Sequence, residues 1–408
     1  LCQRSHPLLH TFRSLEHRNY RLYFIGQGIS LIGSWMQTTA LIWLAYDLTH
    51  QARWPAFIMV AMIGPTLFLA PWAGSLADRI PKHKLILRTQ VGFLLSATIL
   101  TILVALGWIN VWILLAMMLC HGVVQAIDLP ARLAFVPELV PREYLINTVA
   151  LNSAQFNTAR AVGPAIAGLA MIHFGPALCF LINAVSYLAV LAALLAMRDI
   201  PEHVHPEPGN RGGGFAVLRR DPQLMLLILL AGLASVAGWP LLSLLPAYAE
   251  RVLHEKESAY SAMLSSVGIG ALLAALTVAT FSTENRQKAI LIVGVGCVGS
   301  ALQGLCQVEM LTPAMLYCGL FGFGMILFFA TGQAVVQLGV TRANRGKVMG
   351  VWAMMLGGGA PVGNLIFGPA ADEWGVTTVI FFQGLLMIVV LALMMLRSST
   401  PTTENNHD

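Results

Sequence analysis

Charge is scarce in this sequence: Asp, Glu, Lys and Arg make up only 11% of its 408 residues, while 57% are hydrophobic. A soluble domain has about a quarter of its residues charged to cover its surface, so composition excludes one. Cysteine is sparse as well. Five of the six, Cys120, Cys179, Cys297, Cys306 and Cys318, fall in apolar stretches and, like Cys2, lack metal-ligand spacing, which predicts buried free thiols. No Gly-Lys-Ser phosphate loop occurs, which excludes direct use of ATP. His203 and His205 lie in a polar segment with too few partners to hold a metal, so no metal and no cofactor are expected. No nucleophile has a base at workable spacing, so the chain is not expected to be an enzyme.

What is abundant is apolar sequence in long runs. A helix needs about 20 apolar residues to cross a bilayer, and twelve such segments fit, at 22–47, 54–77, 85–106, 111–131, 147–173, 177–197, 223–249, 259–281, 289–308, 313–337, 346–371 and 376–396. The expected fold is therefore an all-α integral membrane protein. Basic residues favour the cytoplasmic side of a membrane. With the N-terminus inside, the outer loops hold only Arg53, Arg251 and Lys256, so both termini are expected to be cytoplasmic. This topology accounts for the net charge of +5, and no nucleic-acid partner is read from it.

The longest polar interruption, 199–222, contains Pro201, Pro206, Pro208 and Gly212-Gly213-Gly214, the composition of an extended linker. It separates a six-helix bundle at 1–198 from a second at 223–397, leaving a tail at 398–408. A weak repeat supports the division. Phe12-x-x-Leu15 is echoed by Phe215-x-x-Leu218, and Ala161-Val-Gly163-Pro164 through Gly168 by Gly358-Gly-Ala360-Pro361-Val-Gly363.

The loop after the second segment, Gly74-Ser-Leu-Ala-Asp78-Arg79-Ile-Pro-Lys82-His-Lys84, resembles the signature loop of the major facilitator superfamily. Pro81 stands where that pattern more often has Gly. Ala126-Ile-Asp128-Leu-Pro130-Ala-Arg132, Asn157-x-x-Arg160-x-x-Gly163-Pro164 and Arg345-Gly346-Lys347-Val-Met-Gly350 narrow the resemblance to the branch containing the bacterial enterobactin exporter. The resemblance implies two six-helix bundles around a midplane cavity. It also implies gating by Gly74, Asp78, Arg79 and Arg132, with Asp78 bonding to a basic residue of the fourth helix and facing the positive N-terminus of the eleventh, at 341–346.

Several residues stand out on physical grounds. A guanidinium in mid-membrane costs about 3 kcal/mol or more, so Arg160 should face a cavity or a buried partner, with Asp128 one candidate for the latter. Proton coupling needs a group that changes charge, and Asp47, Asp128, His121 and Arg160 are the candidates for direct or modulating roles. The helices that the resemblance assigns to the cavity carry Gln27, Trp35, Gln37, Gln125, Trp239, Gln333 and Gln337, a lining suited to a large, partly apolar ligand. Gly163, Pro164, Gly168 and Pro361 are expected at helix contacts, and the Gly163-Pro164 pair resembles an antiporter motif.

The expected function is export of a siderophore or similar amphipathic small molecule across the bacterial inner membrane, with protons as coupling ion. A multidrug or lysophospholipid carrier and a non-transporting receptor or scaffold are the alternatives. The expected partners are the small-molecule substrate and the lipid bilayer, for a monomer with room for an outer-membrane efflux partner.

Overall fold

Two helix starts are fixed by side chains that satisfy free backbone amides. The computed structural model describes residues 13–199 and 214–398, so the expected tail and the His203/His205 pair lie outside the described residues. Asn110 Oδ1 accepts from the amides of Trp112 and Ile113 at 3.0 and 2.9 Å, and Asp221 Oδ1 accepts from Gln223 and Leu224 at 3.1 and 3.0 Å. Both are N-caps of the ordinary kind.

The helices are α1 (Arg18–Asp47), α2 (Arg53–Arg79), α3 (Lys82–Ala105), α4 (Val111–Phe135), α5 (Leu145–Phe174), α6 (Pro176–Leu195), a short α7 (Gly214–Leu218), α8 (Pro222–Gly238), α9 (Leu241–Arg251), α10 (Glu257–Phe281), α11 (Gln287–Leu305), α12 (Leu311–Leu338), α13 (Arg342–Trp374) and α14 (Val376–Ser398). Among the described residues, nine spans are long and apolar enough by themselves to cross a bilayer, the joined α8–α9 being one. The longer, more polar α1, α2 and α5 complete twelve crossings. All three meet helices of the other half.

Two differences from the sequence reading have local causes. The seventh crossing is broken between α8 and α9 at Trp239-Pro240, because Pro240 has no N–H for the carbonyl of Val236. The stretch expected to be extended linker ends in helix α7, where an added Cβ at Gly214 would stand 2.4 Å from the Lys347 carbonyl of α13.

Connections at one end of the bundle, the distal end, opposite the start of α1 and the end of α14, run 48–52, 106–110, 175, 252–256, 306–310 and 375. Their lengths repeat as five, five and one residues in each half. Gly175 (φ 75°) and Gly375 (φ 88°) make the one-residue turns, in backbone space that favours glycine, and 375 − 175 gives an offset of 200. Gly163 packs against Ile32 and Trp35 of α1, and Gly363 against Val236 of α8; Gly168 meets Ser261 of α10, and Gly368 meets Ala56 of α2. The structural repeat is therefore 200, three residues away from the 197 that pairing Pro164 with Pro361 requires.

Small residues also let α10 and α12 touch. A Cβ at Gly322 would stand 2.0 Å from the carbonyl oxygen of Val267, a backbone atom that cannot step aside. Gly322→Ala is expected to lower the thermal unfolding midpoint of the purified protein by overpacking worth about 1–3 kcal/mol. Gly296→Ala, with no atom within 4 Å, should stay within about 0.5 kcal/mol of the parent. Equal midpoints for the two variants would disprove this close-contact account.

Candidate functional site

Helix α2 begins without a capping side chain of its own, since its N-cap is Ala52. The cap arrives from the other half. Asp372, near the end of α13, accepts from the amides of Ala52 and Arg53 at 2.7 and 3.1 Å and from Arg53 Nε at 2.8 Å. Arg251, which ends α9, donates to the same carboxylate at 3.2 Å and to the carbonyl of His50 at 2.6 Å. His50 Nδ1 lies 3.3 Å from Glu250 Oε2. The Asp372 side chain is only 7% exposed, so water screens these bonds little. The result is an ionic latch tying the distal ends of the two halves. Of these residues the sequence singled out only Arg53 and Arg251, as outer-loop charges; the signal available was an uncapped helix start that calls for an outside anion.

At mid-membrane the structure brings together three of the predicted residues. Arg160 of α5 is 4% exposed, and its guanidinium carbon lies 5.8 Å from the ring centre of Trp35 on α1 and 5.2 Å from that of Trp239 at the α8–α9 break. Phe156 packs edge-on against Trp35 at 5.7 Å, and Phe329 stacks on Trp239 at 5.9 Å. A desolvated cation–π contact is worth up to about 2 kcal/mol, so two of them offset a burial penalty of about 3 kcal/mol on insertion scales. They leave hydrogen bonding incomplete: Arg160 Nη2 has no acceptor. Asp128 is not its partner.

Asp128 of α4 is instead bound to Arg132 one turn later in the same helix, and it also accepts from Thr89 and, at 3.1 Å, from Gln90 of α3. That cluster stitches α4 to α3. His121 is buried against the ring of Phe93 at 4.8 Å, and its Nδ1 has no partner. Asp47 ends α1, exposed at the distal end, so the coupling candidates do not form one site.

The remaining candidates separate by environment. Gln27 is buried with Oε1 unpaired, Gln125 and Gln337 are half-buried, and Gln333 is exposed. Gln37 is buried and accepts from Asn183 Nδ2 of α6 at 2.8 Å, so it joins two helices of one half. Pro164 and Pro361 are buried within α5 and α13. Gly74, Asp78 and Arg79 lie in the last turns of α2, but their side chains fall outside the described residues.

The fold and its junctions invite comparison with known proteins, and a family model described as transmembrane secretion effector matches residues 9–408. The chain belongs to this family of the major facilitator superfamily. Within the secretion-effector family's reach, the staphyloferrin A transporter of Staphylococcus aureus (strain NCTC 8325 / PS 47) is 24% identical, over 90% of this chain and 92% of the relative. Macrolide efflux protein A of Streptococcus pyogenes is 23% identical, over 90% and 94%. The enterobactin exporter EntS of Citrobacter koseri is 24% identical, over 86% and 85%. Among solved structures, the nucleoside transporter NupG superposes with a TM-score of 0.73 at 13% identity, covering 95% of this chain and 100% of that one, which shows the shared fold. This secretion-effector chain is thus a multi-pass membrane transporter of small molecules.

Proposed function

We propose that this protein is a secondary exporter that carries a siderophore or similar amphipathic small molecule out across the bacterial inner membrane, driven by proton antiport through alternating access. The observation that carries this reading is the distal latch. Its contacts between halves are ion pairs and helix-cap bonds, which re-form after separation more readily than an interdigitated apolar core. With both termini inside, as the basic loops favour, the distal end faces outward and the latch closes the exit. Gly74, Asp78, Arg79 and Arg132 would then gate the opposite end, and Asp128 is the carboxylate we assign to coupling, because it is buried and already held by Arg132, Thr89 and Gln90. The named cargoes of the staphyloferrin and enterobactin relatives support the substrate class.

Drug efflux is the second reading, favoured by the likeness to macrolide efflux protein A. Mass spectrometry of medium and cell extracts from iron-starved cells, with and without the protein, separates the two. The siderophore reading expects one iron-chelating metabolite to leave the medium and accumulate inside when the protein is missing. An unchanged metabolite profile together with greater macrolide sensitivity would transfer the assignment to drugs.

A further inference from the structure

The central guanidinium has aromatic neighbours and no anion. The other buried or latched acids are committed elsewhere: Asp128 to Arg132, Asp372 to Arg53 and Arg251, and Glu250 to His50. Among the described residues no carboxylate pairs with Arg160, although it is 4% exposed and its Nη2 lacks an acceptor. A buried guanidinium in a fixed position, short of a hydrogen-bond acceptor, is built to receive an oxyanion from outside the protein. We propose that Arg160, Trp35 and Trp239 form the seat for an anionic oxygen group of the cargo, a carboxylate or a phenolate, with the indole faces flanking the flat apolar body attached to it.

This inference rests on the exporter reading and narrows its substrate to anions. A cationic drug would meet a buried positive charge and be repelled. The placement of the seat also says what binding does. Trp35 and Arg160 belong to one half, whereas Trp239 belongs to the other and sits at the break in the seventh crossing. An oxyanion that takes over the guanidinium weakens its hold on Trp239. The segment beyond the break, α9, ends in Glu250 and Arg251, both members of the distal latch. Occupancy at mid-membrane therefore acts on the exit gate through one short helix of eleven residues.

The test uses a matched series on the purified full chain: phenylacetate, the neutral phenylacetamide and the cationic phenethylammonium, with binding followed by tryptophan fluorescence. Phenylacetate is expected to bind saturably and at least about tenfold more tightly than the amide, the gain of a charge-assisted bond, while the ammonium does not bind. Arg160→Gln should remove that preference, Arg160→Lys should retain part of it, and Trp239→Phe should reduce the fluorescence change. Equal binding of phenylacetate and phenylacetamide to the parent protein would overturn the seat even if Arg160→Gln failed to fold. Undiminished phenylacetate binding by a folded Arg160→Gln variant would overturn it too. If iron-starved cells show no cargo but phenylacetate still binds through Arg160, the seat stands and the siderophore reading falls.

Discussion

Replacing Asp372 by Ala is expected to open the distal ends of the two halves and to reduce transport at least about tenfold. The carboxylate serves three donors at once, the amides of Ala52 and Arg53 and the Arg53 side chain, and receives a fourth bond from Arg251. Removing one partner of a buried ion pair is typically worth about 3 kcal/mol, which shifts the closed-to-open ratio by about a hundredfold. Spin labels at Gln51 and Lys256, both exposed, would report the change as a longer distance between the halves by electron–electron resonance. An unchanged distance distribution would remove the latch from the mechanism. A charge swap, Asp372→Arg with Arg53→Asp, gives a sharper check. If the ion pair alone mattered the swap would restore closure, but the amides at the start of α2 need an anion, so closure should not return.

The second large effect concerns Asp128. Asp128→Ala leaves Arg132 charged, only 16% exposed in its side chain and without its bound carboxylate, and should destabilise the bundle by about 3–5 kcal/mol, seen as loss of folded protein on size-exclusion chromatography. Adding Arg132→Met to an Asp128→Leu change replaces the pair by apolar volume and should restore folding, because a buried ion pair adds little over a well-packed apolar substitute. Proton-driven transport should remain absent in that refolded variant. If it transports normally, Asp128 is structural and coupling lies elsewhere.

The sequence made some of this visible and hid the rest for physical reasons. Twelve crossings are local facts of hydropathy, and their number and order agree with the structure. The break at Trp239-Pro240 carried its own signal, a proline without an amide inside an apolar run, yet hydropathy alone read 223–249 as continuous. The bond from Asn183 to Gln37 was hidden, because nothing in the neighbouring sequence announces a partner 146 positions away. The latch joins Ala52 to Asp372 across 320 positions, so neither charge patterns nor helix periodicity could pair them. Arg160 was legible as an anomaly, since a lone guanidinium in an apolar helix demands an explanation. What supplied the explanation was the approach of Trp239 from the other half.

The repeated distal connections of five, five and one residues bear on what the cell's surroundings can reach. With that face outward, as proposed, connections of one and five residues offer little for an antibody, a phage, a protease or a second protein to grasp. If the proposed inner-membrane placement holds, a direct hand-off of cargo into an outer-membrane channel would call for an adaptor. On the proposed exporter reading, cargo released without an adaptor would diffuse into the periplasm, and its recapture would depend on the affinity of whatever waits there.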